Sequence, residues 1–390
     1  MRIDIHELEE FNRLASNGAE QAARALGQLT GMEIYVEGTG VNLVTAETLE
    51  ETFAGRQHIG VRVGLSEALS GEATLVFEPE DAKTLLESMS SPADSGVEFP
   101  GSTFAELGNI MIGGFITGWA NYLGRTIEMT PPTYLEATGM RVLPRFTREA
   151  AAEQGVFIFE SQLTATGSDL SVPLYLIPEY REFVTLLAAR SDSIAVPVDR
   201  LPVFNDLAAH GAERVAEQIT TMTGRETDLK ISQLRFFMLR DVPDQIEELV
   251  YAGAVFELTG HPSGYFVILF EESTAESVAS SMLPDGVEAS DSMREESITE
   301  LGNIITSGFI DGWADTLGTS IEHSPPRYVH DFGPSILSSV VGQLSRSQEG
   351  AFVIDATIQF GNDASECQLF MLPDRSELVE IISELPSRLE

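Results

Sequence analysis

Residues 106–134 read ELGNIMIGGFITGWANYLGRTIEMTPPTY, residues 300–328 read ELGNIITSGFIDGWADTLGTSIEHSPPRY, and 18 of these 29 positions are identical without a gap. A repeat of this length has to be read before any single motif, because it makes each motif one of a pair. The same offset, within one residue, matches FNRLASNGAEQAARAL at 11–26 to FNDLAAHGAERVAEQI at 204–219, and VPLYLIPEYREF at 172–183 to CQLFMLPDRSEL at 367–378. The chain therefore reads as two copies of one module, residues 1–195 and 196–390. The joint falls near AVPVDRLP at 195–202, where two prolines are expected to interrupt regular structure.

Within module 1 the periodicity predicts a first helix from about His6 to Leu29, with Leu8, Phe11, Leu14, Ala15, Ala22 and Leu26 at helical spacings. Extended segments follow at EIYVEGTGVNLV, HIGVRVGLS and GEATLVFEP, then a short helix over DAKTLLESM. A long helix is expected to run from near Ser102 to near Gly124, ahead of the TPP turn. Two more extended segments, GVFIFESQLTA and SVPLYLIP, and a closing helix, EYREFVTLLAA, complete the module. Strands that follow one another across turns, without regular strand-helix-strand crossovers, indicate an α+β fold with antiparallel pairing.

The charge balance narrows the function. With 61 Asp and Glu against 23 Lys and Arg the formal net charge is −38, which repels nucleic acid and anionic lipid. An apolar fraction of 43 % still supplies packed cores, so general disorder is excluded. Only Lys83 and Lys230 are lysines, and the acidic residues are spread along the whole chain. Such a charge destabilises a compact state unless salt screens it, and the Debye length falls to about 3 Å near 1 M salt. The composition resembles that of proteins from salt-in halophilic archaea. A single cysteine, Cys367, can close no disulfide within the chain and suits a reducing cytosol. The start, MRIDIHELEE, is acidic where a secretory signal would be basic, so a cytoplasmic protein is expected.

The long helix begins Ser102-x-x-x-Glu106-x-x-Asn109, and module 2 holds Glu296, Glu300 and Asn303 in the same places. At 100° per residue these positions fall within an arc of about 60°, so the three polar side chains share one face. Leu107, Ile110, Phe115, Trp119 and Leu123 are expected to provide apolar surface elsewhere. An ordinary account exists: Ser102 caps the helix, Glu106 favours its N-terminal end, and Asn109 is solvated. That account has difficulty with asparagine, a poor helix former that competes for backbone hydrogen bonds and yet stands inside the helix in both copies.

Pro131 and Pro325 each follow their asparagine by 22 positions. The combined pattern resembles the motif of the CheC, CheX and FliY phosphatases of chemotaxis: Asp or Ser, three residues, Glu, two residues, Asn, and a Pro some 21 or 22 residues later. Module 2 departs from it by carrying Glu296 at the Asp/Ser position. The resemblance implies tandem CheC-like modules whose motif helices dock on the phosphorylated receiver domain of a CheY-like response regulator. Glu106 and Glu300 would then pair with a receiver lysine, and Asn109 and Asn303 would orient a water for in-line attack on the aspartyl phosphate. Mg²⁺ is expected on the receiver, and no cofactor on this chain. The same resemblance admits a non-catalytic alternative, an adaptor that binds CheD or a flagellar or archaellar switch-type scaffold. Many members repeat the motif on the first helix. Here that copy has decayed, with Leu14 and Asn17 in module 1 and Leu207 and His210 in module 2, so one active helix per module is expected.

Other residues carry less. His6, His58, His210, His261, His323 and His330 show no metal-ligand spacing, and His323 with His330 lacks a third ligand. Gly114 and Gly118, matched by Gly308 and Gly312, have a four-residue spacing that suggests close helix packing. Cys367 lies in an apolar, strand-like stretch and is expected to be buried and inert. From the charge alone, the fold and its activity should require high salt. Circular dichroism over a KCl series should show secondary structure lost as salt is removed, and full structure in dilute buffer would contradict this.

Overall fold

The computed structural model describes residues 2–44, 46–89, 101–153, 155–168, 170–188, 195–197, 200–201, 215–217, 219–221, 227–282, 290–345, 348, 350–360 and 363–385. The chain divides into two compact units, one over Ile3–Ser193 and the other over Ile194–Glu390 together with Met1–Arg2. The short β1 (Arg2–Asp4) leads into α1 (Ile5–Thr30) of the first, which ends where Gly31 adopts φ +73° and donates its N–H to the Gly27 carbonyl at 2.8 Å. Then come β2 (Ile34–Val44), α2 (Ala46–Phe53), β3 (Gln57–Glu67), β4 (Gly71–Phe77), α3 (Pro79–Met89) and the motif helix α4 (Gly101–Leu123). After it follow β5 (Ile127–Met129), β6 (Thr133–Thr138), α5 (Arg145–Glu153), β7 (Val156–Ala165), β8 (Ser171–Pro178) and α6 (Tyr180–Leu186).

The strands form one antiparallel sheet in the order β2-β7-β8-β4-β3, and the short β5 and β6 both pair with β3 along its outer side. Both faces are covered. On one, Phe11 of α1 stacks on Trp119 of α4 at 5.3 Å, Phe159 of β7 meets Trp119 edge-on at 5.0 Å, and Phe183 of α6 meets Phe11 at 5.6 Å. The next residue along β7, Ile158, points to the other face, where it joins Val44, Leu49, Phe53, Val142 and Tyr175. Burial on both sides is why SVPLYLIP reads as an almost unbroken apolar run. α2, α5 and a 3₁₀ turn at Gly139–Val142 lie on that second face; they were not foreseen, because α2 and α5 are one to three turns long and largely polar.

The second unit repeats the plan. After β9 (Ala195–Pro197) come β10 (Thr227–Met238), β11 (Val250–Gly260), β12 (Gly264–Glu271), α7 (Glu272–Ser281), the motif helix α8 (Asp291–Leu317), β13 (Ile321–His323), β14 (Arg327–Phe332), α9 (Gly333–Leu344), β15 (Gly350–Phe360), β16 (Asp363–Pro373) and α10 (Arg375–Glu384). The antiparallel order is β10-β15-β16-β12-β11, with β13 and β14 both on β11. Two tandem α+β modules with antiparallel sheets are thus present. The repeat of the first helix at 204–219, with Leu207 and His210, falls largely outside the described residues. Pro197 ends a short strand instead of preventing one, so the interruption expected at 195–202 does not extend to it. No helix among the described residues is long and apolar enough to cross a membrane.

The four-residue glycine spacing has a different meaning from the one expected. A Cβ on Gly114 would meet Gln21 at an ordinary 3.7 Å, and one on Gly118 would meet nothing within 4 Å. The close approach of α1 to α4 is instead at Gly18, where a Cβ would stand 2.7 Å from the Phe115 carbonyl oxygen. Gly18→Ala should therefore destabilise the module by about 1–3 kcal/mol through overpacking. Gly118→Ala should be neutral or stabilise it by up to about 1 kcal/mol through helix propensity. Chemical denaturation in high salt checks the pair; the opposite order would overturn this packing.

Candidate functional site

The motif helix is seated on the sheet by a glycine between its two candidate residues. In Glu106-Leu107-Gly108-Asn109, Leu107 and Gly108 are buried, and a Cβ on Gly108 would fall 2.3 Å from Val61 Cγ1 of β3. In module 2, a Cβ on Gly302 would stand 3.1 Å from Ala254 Cβ of β11. With that side held inward, residues a third to a half turn away face out. Ser102, Glu106 and Asn109 are exposed, as are Glu296 and Glu300, while Asn303 is half-buried. The structure thus brings each predicted Glu and Asn together on one face of one helix.

Two expectations change. Ser102 is the second residue of α4, and in module 2 Ser290 caps α8 by accepting from the Met293 N–H at 3.3 Å, so Glu296 lies well within the helix. Neither residue is a cap. Ile110, expected among the apolar packing residues, is 39 % exposed and lies beside Asn109 on the outer face.

Pro131 and Pro325 do not make the turn out of the helix. Gly124 at φ +60° and Gly318 at φ +62° do that. Both prolines are exposed and sit in the break between two short strands, β5 and β6 in module 1 and β13 and β14 in module 2. The residue before each break fastens it. Thr130 donates its N–H to the Gly64 carbonyl at 2.9 Å, and its hydroxyl oxygen accepts the Gly64 N–H at 2.8 Å. Ser324 does the same with Glu257, at 2.8 and 3.0 Å. The hydroxyl replaces a backbone carbonyl in the ladder, so the chain kinks outward into prolines, which have no N–H to leave unpaired.

Tyr134, just after the break, supports the start of α4: its ring lies 3.0 Å from the position of a Gly101 Cβ, with its centroid 6.1 Å from that of Phe104. Its hydroxyl donates to Glu136 at 2.7 Å, and burial, reinforced by that bond and by the Glu136 charge, pushes its pKa up to about 12. Gly108, Thr130 and Tyr134, with Gly302, Ser324 and Tyr328, were not singled out from the sequence. The available signal was the retention of glycine, a hydroxyl residue and tyrosine at equivalent positions of the repeat.

The remaining candidates stay apart. Asn17 is exposed on α1, Leu14 is buried, and His210 lies outside the described residues. His58 is buried against Phe53, and desolvation above all lowers its pKa. His330 Nε2 is 2.9 Å from Glu272 Oε1, whereas His323 contacts Ser307, so the two rings face different partners. No three His, Cys, Asp or Glu side chains gather as a metal site among the described residues. Cys367 is buried in β16, and burial raises its thiol pKa well above the usual range.

Comparison with known proteins bears on this arrangement. The CheC-like family pattern matches residues 102–136, from Ser102 through the motif helix to β6, and the pattern of chemotaxis phosphatase CheX matches residues 252–355. A Halobacterium salinarum protein with the provisional name CheY-P phosphatase CheC1 is 31 % identical over 189 residues, 47 % of this chain and 96 % of that protein. The chain belongs to the CheC-like family. The CheY-P phosphatase CheC of Bacillus subtilis is 21 % identical over 200 residues, 49 % of this chain and 96 % of that one. The crystal structure of Thermotoga maritima FliY is 18 % identical, covering 46 % of this chain and 93 % of its own, with a TM-score of 0.38. The two CheC proteins are each matched over nearly their full length by about half of this chain, in keeping with one CheC-like unit per module.

Because Glu106 and Asn109 are exposed and Gly108 between them is not, neighbouring substitutions should separate. Glu106→Ala and Asn109→Ala should each change folding stability by well under about 1 kcal/mol. Gly108→Ala should cost about 1–3 kcal/mol as Val61 is displaced. Equal effects of the three in denaturant titrations would refute the seating of the helix.

Proposed function

We propose that the chain is a cytoplasmic phosphatase for the aspartyl phosphate of a CheY-like receiver, with one site on each module. The reading is supported most by a single observation: a Glu and an Asn, three residues apart, share the outward face of a helix seated against a sheet in both copies, Asn303 being half-buried there. Glu106 and Glu300 dock the receiver by pairing with a lysine on it. Asn109 and Asn303 place a neutral carboxamide against the phosphoryl group and orient a water in line with the phosphorus–oxygen bond. The water oxygen bonds to phosphorus as the bond to the aspartyl oxygen breaks, giving a free carboxylate and inorganic phosphate.

The residue types suit that chemistry. Phosphoryl transfer depends on positioning and charge neutralisation, and the receiver brings its own Mg²⁺. A further carboxylate at the asparagine position would repel the phosphoryl oxygens. Relatives named as CheY-P phosphatases support the same assignment. Ser102, Glu296, Pro131 and Pro325 serve the site by shaping the helix face and the adjoining edge.

Single-turnover dephosphorylation of a phosphorylated CheY-like receiver tests this. Asn109→Ala and Asn303→Ala should each remove one module's turnover, and the double variant should fall to the receiver's own hydrolysis while binding largely persists. Glu106→Ala and Glu300→Ala should weaken binding as well. Wild-type turnover in the double Asn variant would reject catalysis and leave a scaffold or CheD-binding adaptor in its place.

A further inference from the structure

The two sites differ at one contact beside the asparagine. One helical turn beyond Asn303, module 2 has Ser307, and the adjoining β13 ends in His323; module 1 has Gly113 and Met129 in these places. His323 Nδ1 is 2.9 Å from the Ser324 carbonyl oxygen. A carbonyl can only accept, so Nδ1 carries the proton and Nε2 of the neutral ring is an acceptor. Nε2 is 3.0 Å from Ser307 Oγ, which must then donate. The ring is held further by Phe256, edge-on at 5.4 Å, and by the Ser324 latch to Glu257.

The direction of this chain of hydrogen bonds matters. With the His323 ring neutral, the hydroxyl proton of Ser307 is directed to Nε2, and the oxygen offers its lone pairs to a docked molecule. At the equivalent place module 1 is hydrocarbon. Met129 is 41 % exposed, and its methyl carbon lies 3.8 Å from where a Gly113 Cβ would stand. Asn303 and Ser307 are four residues apart on one helix face, close enough for one partner to contact both.

We propose that Ser307 and His323 form a specificity-determining pair: the module 2 site selects receivers that present a hydrogen-bond donor, a Lys, Arg, Asn or Gln side chain, beside the phosphorylated aspartate. The module 1 site takes an apolar side chain there. The inference rests on receiver docking at the motif helix, as proposed above, and it makes the two halves of the chain unequal readers of their partners.

The test uses the full chain in high salt, with one site silenced at a time. Asn109→Ala leaves module 2 turning over and Asn303→Ala leaves module 1. The probe is a CheY-like receiver kept phosphorylated by acetyl phosphate, together with variants in which each exposed Lys, Arg, Asn or Gln around its phosphorylation site is truncated to Ala. In the module 2 background, Ser307→Ala, and Ser307→Gly with His323→Met, should raise KM about tenfold at unchanged kcat. That loss should vanish against one receiver variant, the one lacking the donor.

The reverse exchange, Gly113→Ser with Met129→His, is sterically open and should make the same receiver position matter to module 1. A KM unmoved by Ser307→Ala, or moved equally against every receiver variant, would overturn the pairing. Turnover that survives loss of both asparagines would instead defeat the phosphatase reading beneath it, so the two failures are distinct.

Discussion

Val61 occupies the space that a side chain on Gly108 would need, 2.3 Å from that Cβ position, and the rest of the site follows from this contact. Glycine lets the helix axis approach the sheet. The approach fixes the helix rotation, and the rotation sends Glu106 and Asn109 outward. In module 2, Gly302 packs on Ala254 with the same consequence for Glu300 and Asn303. Behind the helix, Trp119 and Trp313 are fully buried, which prevents it from rolling. The water-orienting role proposed for Asn109 and Asn303 requires a helix held in this way, since small misplacements of a positioning group are costly in rate.

The edge of the sheet provides the second fixed point. Thr130 and Ser324 each tie the chain to the neighbouring strand through both backbone and hydroxyl, and the prolines that follow turn it away from the ladder. Met129 and His323, just before the latch, are thereby set beside the motif helix. The surface proposed to meet a receiver is therefore built from two elements: one helix face and one interrupted sheet edge. A net charge of −38 is not offset by the ion pairs present, such as Arg24–Glu20, Arg56–Glu78 and Arg145–Glu149, which are exposed and contribute little each. In molar salt such a protein gains little from long-range steering, so recognition has to come from these short-range contacts.

The long elements were legible because their periods run for several turns or residues. α1 is within a residue of its expected bounds, α4 begins and ends beside Ser102 and Gly124, and β7 and β8 coincide with their apolar runs. The Glu and Asn of each copy were legible because the repeat doubled an otherwise short signal. What escaped has physical reasons. Among the described side chains of α2 only Leu49 and Phe53 are buried, too few residues to show a helical period. β5 is three residues long and exists only because β3 offers it an edge. Ile110 looked like core but lies on the side that the Gly108 seat turns outward, and Gly114 and Gly118 suggested a close contact that Gly18 in fact makes. These errors share one origin: helix rotation is decided by a contact between elements distant in sequence.

Hydrogen exchange on the full chain, with and without a phosphorylated CheY-like receiver in high salt, tests the central claim most directly. Receiver binding should slow exchange in peptides covering 101–113 and 127–133, and in their counterparts covering 296–307 and 321–327. The face of each sheet away from the motif helix, covered by α2 and α5 in module 1 and in module 2 by α9, whose Leu337 and Val340 pack with Val267 and Phe370, should be unchanged. Protection confined to that second face, with the motif helices unaffected, would contradict the account.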